Sequence, residues 1–67
     1  DWTAAVSELE ALVARFPGGS KVPDALLRLG ICWERLGDSA RARTYFDLLV
    51  REHPDSTAAH MASREDT

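Results

Sequence analysis

Two histidines, a single cysteine, a proline-glycine loop and a scatter of arginines are the residues of this chain whose types could do chemistry. His53 and His60 stand on either side of Pro54, and no cysteine or carboxylate cluster completes the spacing a metal site needs. Neither is expected to bind metal or act in catalysis; His53 reads as a helix-end residue whose charged form suits the negative end of a helix dipole. Cys32 lies beside Trp33 on an apolar stripe. Arg28 and Arg35 are within about one helical turn of it, but a reactive thiol also needs exposure, and the expectation is packing as a small hydrophobe. Pro17-Gly18-Gly19-Ser20 could cradle a phosphate ahead of a helix. It lacks a preceding strand and a Lys-Ser/Thr ending, so it reads as a connector. Arg35, Arg41, Arg43 and Arg51 are interleaved with Glu34, Asp38, Asp47 and Glu52, the pattern of a solvated, ion-paired face. No set of side chains supplies nucleophile, base and oxyanion donor together, so neither an enzyme nor a cofactor is expected.

The elements that position these residues follow from apolar periodicity. Trp2, Ala5, Val6, Leu9, Leu12, Val13 and Phe16 recur at three-and-four spacing, which makes one stripe on a helix over about 2–16. Asp1 is the expected N-cap, and Pro17-Gly18-Gly19 the stop. A second helix, about 20–36, tolerates Pro23 in its first turn and carries Val22, Ala25, Leu26, Leu29, Cys32, Trp33 and Leu36. Leu27 and Ile31 widen its apolar circumference, so it should lie between other elements. Gly37 can take a left-handed conformation to end it, and Asp38 can cap a third helix, about 39–53, that buries Ala42, Tyr45, Phe46, Leu49 and Val50. A two-residue connection makes helices two and three antiparallel neighbours. The fourth segment, about 56–65, has only Ala58, Ala59, Met61 and Ala62 on its apolar side and should be stabilised least, with fraying from Ser63 to Thr67. The fold class is therefore all-α, one domain over 1–67 with about four helices.

Composition bounds what such a domain does. The chain has 67 residues, is 45% hydrophobic and 28% charged, and carries a net charge of −3. That is a folding composition in a domain small enough to depend on good packing or on neighbours. Charges are interspersed with no basic stripe, so nucleic acid is not the expected partner. No apolar run approaches the roughly 20 residues that span a bilayer. The single Cys32 excludes an internal disulfide. An opening Asp1 without Met is what a processed or excised segment would show.

Sliding the chain by 37 residues superposes Asp1 on Asp38, Ala5 on Ala42, Leu9 on Phe46, Leu12 on Leu49, Val13 on Val50, Pro17 on Pro54 and Ala25 on Ala62. Helix one corresponds to helix three and helix two to helix four, about one and a half helix-turn-helix repeats. The run Leu26, Leu29-Gly30, Trp33, Gly37, Ala42, Phe46, Leu49 and Pro54 resembles the tetratricopeptide repeat, with Trp33 where Tyr is commoner and Leu49 where Ala is commoner. Gly30 and Ala42 should mark the closest approach of two helices, with Leu29, Trp33 and Phe46 filling the space beside it. The connectors Phe16-Pro17-Gly18-Gly19-Ser20 and His53-Pro54-Asp55-Ser56 are similar to those of bacterial envelope tetratricopeptide proteins, among them the division coordinators associated with the Tol-Pal system.

The resemblance implies a non-catalytic scaffold that binds a protein or peptide partner, and favours a periplasmic or envelope complex, while the residues themselves leave the compartment, cytoplasm included, open. It places Asp24, Leu27, Arg28, Ile31, Glu34 and Arg35 on the groove formed by the first helix of each repeat. Leu27 and Ile31, expected to be at least partly exposed, occupy the positions where chaperone-binding members carry Lys and Asn for a peptide carboxylate, so that clamp is not expected. A second function remains open, self-assembly through repeat ends. Helix one lacks the helix that normally precedes it, so burying Trp2, Val6 and Val13 should need another chain, by end-to-end stacking or by exchange of helices.

Overall fold

The structure, a computed structural model, describes residues 1–65. Four helices run in order: α1 (Trp2–Arg15), α2 (Val22–Arg35), α3 (Ser39–Glu52) and α4 (Thr57–Glu65). The element types and order are those expected from periodicity. The ends differ by one or two residues, most at α2, where Ser20 and Lys21 form a turn and the helix begins at Val22. Ser63 and Arg64 are helical, while the expected fraying at Asp66 and Thr67 falls outside the described residues.

Local chemistry accounts for each boundary. Asp1 caps α1 by accepting from the Thr3 N–H at 3.0 Å, and Asp38 caps α3 by accepting from the Arg41 N–H at 3.0 Å. Ser56 opens α4 through its Oγ, which accepts from the Ala59 N–H at 3.0 Å and donates to the His53 carbonyl at 2.8 Å. Its counterpart 37 residues earlier is Gly19, so α2 starts without a side-chain cap and relies on Pro23 in its first turn. Gly37 ends α2 at φ +85°, with the Asp38 N–H bonded to Trp33 O at 2.9 Å and its own N–H to Glu34 O at 3.0 Å.

The repeat is visible in the backbone. Phe16 and His53, 37 residues apart, close α1 and α3 with φ/ψ of −131°/62° and −135°/56°, and donate to Leu12 O and Leu49 O respectively. Two different side chains thus adopt one turn.

Helix α2 packs on all three of the others, and α3 and α4 also pack together. It supplies more of the core than any other helix, with Val22, Ala25, Leu26, Leu29, Gly30 and Cys32 buried beside Ala42, Phe46 and Leu49 of α3. A Cβ on Gly30 would lie 2.6 Å from Cδ1 and Cζ of Phe46, so the phenyl ring rests on the bare glycine backbone. That is the close approach expected at this position.

Several burial expectations are corrected. Val50, expected to be buried by α3, is 38% exposed and borders a shallow cleft with Asp47, Arg51 and Ala62. Leu27 is only 5% exposed, because α4 packs on α2 and puts Ala58, Ala59 and Ala62 into the same apolar cluster. Val6 is only 6% exposed and Val13 is half-buried, because α2 covers that side of α1. Val6 therefore needs no second chain, while Val13 keeps part of its surface open.

Candidate functional site

What α2 leaves uncovered on α1 is a different strip. Trp2, Ala5, Glu8, Leu9 and Leu12 of α1 and Arg28, Ile31 and Cys32 of α2 line a groove of about 520 Å³. In α3 the positions equivalent to Ala5, Leu9 and Leu12 are Ala42, Phe46 and Leu49, each buried beneath α2. The groove is therefore the bed of a helix-helix contact in which α1 has no partner.

Its floor is apolar and its rims are charged. Ile31, half-buried, points from α2 into the space that Leu9 and Leu12 enter from α1. Cys32 lines the same floor but is 4% exposed, as a packing residue should be. On the α2 rim, Arg28 pairs with Asp24 at 2.9 Å, an exposed i,i+4 pair that contributes at most about 0.5 kcal/mol. About two turns further along, the Arg35 guanidinium lies 5.9 Å from the centre of the Trp2 ring. Trp2 itself is 47% exposed. Glu8 stands on the α1 rim.

Of the residues expected on the groove, Arg28 and Ile31 line it, and Asp24 and Arg35 stand beside it through their contacts with Arg28 and Trp2. Glu34 is exposed, while Leu27 belongs to the core. Of the three expected end contacts, Trp2 lines the groove, whereas Val13 borders a smaller cleft with Glu10, Ala14, Leu29 and Tyr45. Ala5, Glu8, Leu9 and Leu12 are site residues that sequence reasoning did not single out. The signal existed, since the 37-residue shift pairs three of them with the α3 residues that α2 covers.

A polar cluster on the other side ties α1 to α3. The Tyr45 hydroxyl donates to Glu10 Oε2 at 2.9 Å. Burial pushes the Tyr45 phenol above its ordinary 10.0, and the Glu10 carboxylate adds to this through the hydrogen bond and its charge, against smaller opposing effects of Arg41 and Trp33. The Arg41 guanidinium stacks 4.7 Å from the Trp33 ring centre. The Trp33 Nε1–H is buried without a partner of good hydrogen-bond geometry, although the indole faces Tyr45 closely enough to act on its phenol. Arg41 also lies 3.7 Å from Asp38. This cluster borders only the shallow cleft lined by Glu10, Val13, Ala14, Leu29 and Tyr45.

Nothing among the described residues assembles three or more His, Cys, Asp or Glu side chains into a metal-binding group. No described helix is long and apolar enough to cross a membrane.

The geometry thus shows two stacked helical hairpin units, closed by a glycine-on-phenylalanine contact. A sequence model of the tetratricopeptide repeat matches residues 1–57. The chain belongs to the tetratricopeptide repeat family. The match takes in α1, α2 and α3 with the connector to α4. No individual curated protein and no solved structure gave a significant match. Tetratricopeptide repeats generally mediate protein-protein interactions, and a helical scaffold with an open apolar groove is the arrangement that role uses.

Proposed function

We propose that this chain is a non-catalytic scaffold that holds a protein partner in the groove between α1 and α2. The observation that carries this is the half-buried strip Ala5-Leu9-Leu12 facing Ile31 across an open groove, apolar at its floor and edged by Arg28 and Arg35. A partner segment that fills it removes apolar surface from water while the arginines select its charge. The aromatic-Pro-polar connectors, which look like those of envelope proteins of the family, support a place in a bacterial envelope complex.

Panning a random peptide display library on the intact protein tests the groove. Selected ligands should lose binding to Leu12→Glu and Ile31→Glu variants whose circular dichroism is unchanged. Ligands indifferent to both changes would remove the groove from the proposal. A second reading, self-assembly through repeat ends, is favoured by Trp2, a large aromatic left 47% exposed on the rim of the same groove.

A further inference from the structure

A second concavity lies on the other flank of α1. Glu10, Val13 and Ala14 of α1, Leu29 of α2 and Tyr45 of α3 line a cleft of about 300 Å³. Three helices of this chain supply its walls, and it shares no lining residue with the strip of Ala5, Leu9 and Leu12 on which a further repeat helix would stack.

The cleft joins an apolar floor to one negative end. Leu29 at the floor is 1% exposed, Val13 is half-buried, and Glu10 is the charged group of the lining. The Glu10 carboxylate accepts the Tyr45 hydroxyl on Oε2 at 2.9 Å. Burial and Glu10 itself keep that phenol titrating above 10.0, so at neutral pH the partner is an uncharged donor. Tyr45 thus holds the carboxylate at the cleft without cancelling its charge.

The internal repeat shows which charge belongs there. Shifted by 37 residues, Glu10, Val13 and Ala14 become Asp47, Val50 and Arg51, and these three line the cleft between α3 and α4. In that cleft the chain places its own arginine beside its own carboxylate. In the first cleft the corresponding residue is Ala14, and among the described residues no basic side chain lines it. Arg41, which acts on the Tyr45 phenol, is stacked 4.7 Å from the Trp33 ring centre and lies 3.7 Å from Asp38. We infer that the Glu10–Tyr45 cleft is a docking site for a lysine side chain of a protein partner, which brings the cation that Arg51 brings to the equivalent cleft.

Lysine fits this site better than arginine. Tyr45 engages Oε2 of Glu10, so the carboxylate does not offer two free oxygens to a guanidinium fork, whereas an ammonium needs only one. The aliphatic stem of lysine lies along Val13, Ala14 and Leu29 while its head reaches Glu10. The net charge of −3 favours the approach of a basic segment.

A random peptide display library, panned on the 67-residue protein after depletion on the Ala14→Arg variant, tests the assignment. Ala14 is exposed, so that variant should keep its circular dichroism while copying Arg51 into the first cleft. Recovered peptides should be enriched in lysine over the input library. With one of them, amide shifts of the nitrogen-15-labelled protein should centre on Glu10, Val13, Ala14 and Tyr45. Replacing the peptide's lysine by norleucine should weaken binding roughly fivefold, the scale of an exposed ion pair. Glu10→Gln, which keeps an acceptor for Tyr45, should weaken it by a similar factor. Recovery without lysine enrichment, equal binding of the norleucine peptide, or indifference to Glu10→Gln overturns the inference. Shifts confined to Ala5, Leu9 and Leu12 overturn it too, while leaving the α1–α2 groove standing. Lys21 is the single lysine of this chain. Shifts at the cleft on concentrating the protein alone, abolished by Lys21→Gln, would make a second copy the occupant and overturn the assignment to a separate partner.

Discussion

Gly30 shows how much one missing methyl group decides. With the Phe46 ring against its backbone, a side chain of any size forces the ring or α3 to move. Gly30→Leu and Ala42→Leu should each lower the melting temperature, with an overpacking cost of about 1 to 3 kcal/mol. An unchanged melting curve for both would contradict the observed contact. Tyr45 gives a pH signature instead. Its folded-state phenol titrates above 10.0, so its contribution to stability is fully present below 10.0 and is lost as pH rises through the raised value. Melting temperature should therefore fall above about pH 10 more steeply in the wild type than in Tyr45→Phe. Identical alkaline slopes would show that the Tyr45–Glu10 contact does not persist in solution.

At the scale of the helix, α2 is the element on which the others depend, and its two outward positions behave differently. Leu27 is clamped by α4 packing, whereas Ile31 edges an open groove. Leu27→Ala should cost about 2 to 4 kcal/mol, toward the range of large-to-small core changes, while Ile31→Ser should leave helicity and melting nearly unaltered and act on binding. Chemical denaturation of the two single variants separates these outcomes. The caps are independent of this packing. Replacing Gly37, at φ +85°, by Ala should destabilise by about 1 kcal/mol, because a Cβ is strained in that conformation even though there is open space around it.

Helix existence and order were legible in the chain because they rest on local chemistry: apolar spacing, Asp1 and Asp38 as caps, Gly37 and two prolines as stops. The start of α2 was less legible, since Gly19 offers no capping side chain and nothing local distinguishes Ser20 from Val22 as the first residue. The burial of Leu27, Val6 and Val50 departs from expectation for a different reason. Helical periodicity assigns a residue to a face, but only neighbours decide whether that face is covered.

For the whole molecule, the open groove and the exposed Trp2 make association the quantity to measure. Sedimentation of Trp2→Ser against the wild type over a concentration series tests the self-assembly reading. If Trp2 mediates it, the variant should shift toward monomer, and a wild type that is monomeric at the highest concentration would remove that reading. The sequence by itself determined that there are four helices, that they repeat every 37 residues, and that α2 and α3 form a hairpin around Gly30. These follow from short-range stereochemistry and from the internal match, which needs no coordinates. Which apolar strip stays open was decided only by the tertiary structure. Val6 and Leu9 read alike along the chain, three residues apart on one stripe. Yet α2 packs onto the side that holds Val6 and leaves Ala5, Leu9 and Leu12 only half-buried along an open groove, because one helix can cover only one flank of another.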